Sequence, residues 1–145
     1  MDFSSTNLDR HLLTAYLQTR YCIDEPPICI HIGQLHPELD NFLLQNKERQ
    51  WVFITAWNPG SQLLPSTENQ ERQNKLIEKI GQLEKPFFYG RGEALDGKWE
   101  AEESLLVLGL SPATGIDLGR AFRQNAIVAG SLDEPAELVI IPKKV

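Results

Sequence analysis

Apolar residues recur along this chain at helical spacing in some stretches and at alternate positions in others, and the two periods together predict its elements. Leu8, Leu12, Leu13, Tyr16 and Leu17 form one helical stripe, which predicts a helix over about residues 7–19. Thr6 with Asp9 three places on resembles a capping box, with Asp a shorter partner than the usual Glu or Gln. Two short strands, 21–23 and 28–32, are expected around Asp24-Glu25-Pro26-Pro27. Two prolines cannot donate to a ladder, so this is a turn at a sheet edge. Pro37 can open a second, short helix with Leu39, Phe42 and Leu43 on its buried face.

Trp51-Val52-Phe53-Ile54-Thr55-Ala56-Trp57 is apolar on both alternating faces except at Thr55, the pattern of a central strand covered on both sides. Asn58-Pro59-Gly60-Ser61 ends it. Thr67 and Gln70 offer a capping box for a helix running to about Leu83, with Leu76, Ile80 and Leu83 as its buried stripe and Ile77 alongside. Strands 87–89 and 104–110 follow, separated by a loop in which Gly90-Arg91-Gly92 reads as a glycine turn. Ser111 as N-cap and Pro112 at the first helical position start a last helix over about residues 113–124. Gly115 and Gly119 on it permit close helix–sheet packing, and strands 126–129 and 138–141 finish the chain. From Trp51 onward the order is β-α-β-β-α-β, the split pattern of ferredoxin-like folds, which the N-terminal α-β-β-α extends. The expected fold is therefore α+β: one domain over residues 1–145, with helices packed on a mixed, largely antiparallel sheet of about five to seven strands.

Composition narrows the function. With 41% hydrophobic and 23% charged residues the chain is not of the disordered kind, and no stretch approaches the ~20 apolar residues of a membrane span. Its start lacks the basic and apolar regions of a signal peptide. Lys+Arg 14 against Asp+Glu 20 leaves a net charge of −6, which argues against nucleic acid or an acidic membrane as partner. The expectation is a soluble, cytoplasmic protein without cofactor. Only Cys22 and Cys29 are present; a hairpin closing at Glu25-Pro26 sets them face to face, and in a reducing cytosol they stay thiols. The spacing of Cys22, Cys29, His31 and His36 matches no common zinc pattern, so no metal is expected. Nucleophile-elbow, His-Glu-x-x-His and phosphate-loop motifs are absent from the sequence.

The helix after Trp57 carries the candidate chemistry. Stepping back from Leu76 by three, four and seven places gives Gln73, Arg72 and Asn69, so its core-facing stripe begins with amide and guanidinium groups. Buried polar groups need partners or a wet cavity. Arg72 near a helix N-terminus favours an anion, or else a salt bridge to an internal Glu. Thr55 and Asn58 end the central strand beside this helix, as ligand contacts or as a simple turn. Trp57 is core or pocket wall. In Trp99-Glu100-Ala101-Glu102-Glu103-Ser104 one carboxylate, Glu103 first, can turn inward as the partner of Arg72 and serve as an acid/base; the alternative is a solvated face. Gln124-Asn125 can cap the last helix or line the same pocket.

Leu13-Thr14-Ala15-Tyr16-x-x-Thr19-x-Tyr21, Phe53-Ile54-Thr55-Ala56-Trp57-Asn58-Pro59, Asn69-x-x-Arg72-x-x-x-Leu76, Trp99-x-x-Glu102-Glu103-Ser104 and Phe122-x-Gln124-Asn125-Ala126-Ile127 span most of the chain. In them the sequence resembles an uncharacterised bacterial family catalogued as a domain of unknown function, of the DUF3293 type. The resemblance implies that Tyr16, Thr55, Asn58, Asn69, Arg72, Glu103 and Gln124 belong together, and it implies no activity. Three functions compete. The first is a binding or regulatory module holding a small anionic ligand through Thr55, Asn58, Asn69, Arg72 and Gln124. The second is a module that takes a protein partner on an exposed sheet edge. The third is a small enzyme using Glu103 and Arg72 in the same pocket.

Overall fold

The computed structural model describes residues 10–95, 97 and 100–142. The expected helix start at Asn7, its Thr6–Asp9 cap, Leu8 and Trp99 lie outside the described residues. In chain order the elements are α1 (Arg10–Leu17), β1 (Thr19–Ile23), β2 (Ile28–Ile30), α2 (Pro37–Gln45), β3 (Gln50–Ile54), a 3-10 turn (Pro59–Ser61), α3 (Ser66–Gly81), β4 (Phe87–Ala94), β5 (Glu102–Leu108), α4 (Pro112–Ala121), β6 (Ala126–Ser131) and β7 (Glu137–Ile140). The fold is α+β, with one sheet in the order β2-β1-β4-β5-β3-β6-β7. The sheet, expected to be mixed but largely antiparallel, is antiparallel in all six pairings. The crossovers explain this: β3 and β4 flank β5, while β5 and β6 flank β3, so strands running the same way never become neighbours. The strand with two apolar faces, β3, takes the covered position between β5 and β6.

The helices divide between the two faces. Leu76 and Ile80 of α3 pack with Val52, Ile54, Leu105, Val107, Ile127 and Ala129 on one face. Next to α3, α4 lies so close to the sheet that a Cβ at Gly115 would stand 2.8 Å from Ile127 Cδ1. Leu39, Phe42 and Leu43 of α2 cover Trp51, Phe53, Leu106, Leu108 and Val128 on the other face, each buried side chain worth roughly 1.5–3 kcal/mol. That second face is concave. Strands β1 and β3 stand three places apart in the sheet, ~14 Å if it were flat, yet the Tyr21 and Phe53 rings meet edge to face at 5.5 Å. The α2 helix fills one end of the trough, with Phe42 on Phe88 at 4.7 Å.

Several sequence expectations are corrected. Strand β4 runs straight through Gly90-Arg91-Gly92, because β1 passes so near that a Cβ at Gly90 would strike the Cys22 carbonyl. Helix α3 begins at Ser66 behind Pro65 with no side-chain cap; the Gln70 amide turns instead to Asn74 at 3.0 Å. Leu83 falls beyond its end and is partly exposed. Cys22 and Cys29 are direct register partners with Cα atoms 4.0 Å apart, and their sulfurs are joined in a disulfide rather than free. The Ser111 cap holds as expected, its Oγ accepting from the Thr114 N–H. No helix among the described residues is long and apolar enough to cross a membrane.

Candidate functional site

After Ile54 the chain leaves the sheet, and its backbone groups lose their ladder partners while still buried. The polar start of the α3 stripe supplies new ones. Gln73 Oε1 accepts from the Ala56 N–H at 2.9 Å, and Asn69 Oδ1 accepts from the Asn58 N–H at 2.8 Å. The Asn69 amide donates to Asn58 Oδ1 at 2.8 Å and to the Leu64 carbonyl at 3.2 Å. Arg72 Nε donates to the Ala56 carbonyl at 3.0 Å, and its Nη2 donates to the Phe122 carbonyl. Asn69 and Gln73 are each only 1% exposed, so these bonds answer the partner question that the sequence poses. Among the described residues no carboxylate pairs with Arg72.

Asn58 stands in the left-handed region at φ 47°, and Gly60 and Ser61 follow at 63° and 61°. Asn tolerates this conformation because its short amide bonds locally. The reversal carries Asn58 and Ser61 to the rim of a cavity of about 170 Å³ at the end of the trough opposite α2. That volume suits a benzene-sized body, which a 150 Å³ engineered cavity is known to take. The sheet supplies a floor of Phe53, Tyr21, Val128 and Leu138, and α1 lies across it with Leu12 and Tyr16. Tyr21 fastens α1 in place by donating its hydroxyl to the Tyr16 carbonyl at 2.7 Å.

Polar groups gather at one side of this cavity. Glu102, at the start of β5, shares its face with Ser104, Leu106 and Leu108 and so points into the trough. The Asn58 side chain stands near the Glu102 carboxyl and favours the charged form. Asn58 Oδ1 is already occupied by the Leu64 N–H and the Asn69 amide, which leaves its NH2 as the group able to act on Glu102. Burial pushes the Glu102 pKa up to about 7, against the pull of the Asn58 side chain. Tyr16 Oη lies 3.4 Å from Ser61 Oγ, which accepts from the Asn125 amide at 3.0 Å. Burial raises the Tyr16 hydroxyl, and the nearby Glu102 charge adds to the effect. A carboxyl poised near neutrality beside a neutral phenol can hold or pass a proton, and the hydroxyls can orient a bound polar group.

The sequence candidates separate on this geometry. Thr55, Asn58 and Gln124 line the cavity. Thr55 Oγ1 is committed to the Glu103 carbonyl and the Trp57 N–H, which is the turn-closing role, and Gln124 donates to the Trp57 carbonyl at 3.1 Å. Asn69 and Arg72 do not line it; they grip the strand exit from the α3 side. Glu103 points the opposite way from Glu102 and is exposed, in register with Arg91 of β4. Sequence reasoning ranks Glu103 above Glu102 and passes over Ser61 and Tyr21. The signal for Glu102 was its parity with Ser104: two polar residues on the same side of an otherwise apolar strand. No group of His, Cys, Asp and Glu among the described residues is arranged to hold a metal ion.

Residues 54–127 match the model of a family described as a protein of unknown function, DUF3293. No curated protein matches the chain, and no solved structure matches it.

Proposed function

The chain belongs to the DUF3293 family, and from that premise, which brings no activity with it, we propose that the protein is a small-molecule binding module whose ligand occupies the cavity between α1 and the concave face of the sheet. The observation that carries this is a preformed, largely apolar hollow with a few polar groups converging at one side, the usual make-up of a ligand site. An anionic ligand would depend on Arg72, but that guanidinium is engaged by the Ala56 and Phe122 carbonyls, so the reading favours a ligand without negative charge. A catalytic reading rests on Glu102 alone, whose carboxyl is tuned to exchange a proton at neutral pH with whatever the cavity holds.

Ala94 faces the cavity from the end of β4, and Ala94→Phe fills part of it with a ring. In a screen of ring-sized compounds by thermal shift and ligand-observed NMR, binders of the wild type should lose at least tenfold in affinity to Ala94→Phe. That variant should keep a cooperative melt. Equal affinity in both proteins would place the ligand elsewhere and end this reading.

A further inference from the structure

We propose that the ligand of this cavity carries a protonated amine, held by the Glu102 carboxylate with an apolar body lying on Phe53, Tyr21 and Leu138. The inference rests on the binding reading above and names the ligand class for the same site.

The described lining contains acidic and neutral groups and no Lys, Arg or His. A carboxylate withdrawn from water is costly unless a cation and further hydrogen bonds compensate it. Among the described residues the Asn58 side chain alone offsets the burial of Glu102. No ion pair among the described residues reaches it: Arg20 pairs with Glu93, Arg91 with Asp24 and Glu93, and Arg120 with Asp117. An ammonium group supplies the missing charge. It also brings three donors, which match the Glu102 carboxylate, Tyr16 Oη and Ser61 Oγ, oxygens gathered on one side of the hollow. A carboxylate or phosphate ligand would meet Glu102 as a like charge, with no cation in the described lining to offset it. The floor opposite is apolar and suits a ring or short branched chain attached to the amine.

Charge pairing predicts a pH signature. The titratable groups facing the cavity are Tyr16 from α1, Tyr21 from β1, and Glu100 and Glu102 at the start of β5. Burial raises both tyrosines, so they stay neutral between pH 6 and 8, and Glu102 changes charge within that window. An ammonium ligand therefore binds tighter as pH rises through 7, by about tenfold from pH 6 to pH 8.

The test uses the full chain and three probes of one size: benzylamine, benzyl alcohol and benzoate, titrated by calorimetry at pH 6 and pH 8. Benzylamine should bind at least tenfold tighter than benzyl alcohol at pH 8 and lose most of that advantage at pH 6. Glu102→Gln should bring benzylamine down to the level of benzyl alcohol measured on the same variant. If that variant fails to fold, the pH dependence in the wild type decides alone. Benzyl alcohol or benzoate binding as tightly as benzylamine would overturn the amine assignment and leave the cavity a ligand site. No binding by any of the three at 10 mM would overturn the binding reading with it.

Discussion

Glu102 illustrates how a single side chain links the cavity to the stability of the fold. In the unfolded chain it releases its proton near the ordinary value of 4.5, whereas burial holds the proton until about pH 7. A raised acid of this kind stabilises the fold fully below pH 4.5, and that contribution drains away as pH climbs to 7, by about 3 kcal/mol in all. Glu102→Gln keeps the neutral shape at every pH. The stability of the variant minus that of the wild type should thus widen by about 3 kcal/mol between pH 4 and pH 8, measured by urea unfolding. A gap that stays constant across the range would mean that Glu102 is solvated. Asn69 shows the opposite kind of dependence, structural and independent of pH. Its amide satisfies the Asn58 N–H, the Asn58 side chain and the Leu64 carbonyl together. Asn69→Ala strands these buried groups and should cost about 3 kcal/mol, where a surface change costs ~0.5 or less. A loss as small as the surface figure would show that water replaces the amide.

Among the elements, those whose hydrophobic pattern had one solution were legible from the start. Strand β3 is apolar on both faces and lies between two strands under helices, and α2 buries Leu39, Phe42 and Leu43 as its spacing demands. Strand β4 was hidden because Gly90 and Gly92 signal a turn locally, while the need for Gly90 comes from β1, some seventy positions earlier. The same holds for the site. Thr55 and Asn58 could be placed from strand and turn logic, but choosing Glu102 over Glu103 depends on a one-residue register, for which the parity of Glu102 with Ser104 is a single local cue. The α3 stripe announced buried amides without revealing that their partners were the backbone of residues 56–64. Two glycines provide a controlled comparison. Gly90→Ala drives a methyl into the Cys22 carbonyl and should destabilise by about 3 kcal/mol, within the range for overpacking. Gly81→Ala, at the open end of α3 with free space around it, should stabilise by up to about 1 kcal/mol. If the two alanine variants melt alike, close approach is not what selects glycine in β4.

The family match covers residues 54–127, yet the sheet draws strands from both sides of that stretch. A fragment of residues 50–131 would keep β3 to β6 with α3 and α4, but it would bare Trp51, Phe53, Leu106, Leu108 and Val128, which α2, β1 and β2 cover in the full chain. It should bind a hydrophobic dye and melt without cooperativity, the signs of lost specific packing. A sharp melt would show that the concave face needs no cover. The curl of the sheet has a further consequence, for rates. It brings Leu12 of α1 and Leu138 of β7 to the walls of one hollow, so the hollow does not exist until nearly the whole chain has assembled. Pairings of such sequence separation form late, after the loop-closure entropy has been overcome. A molecule seated there finds nothing to hold in a partly folded chain. It should therefore leave the folding rate almost untouched and slow the unfolding rate in proportion to its affinity, lengthening the lifetime of the native state.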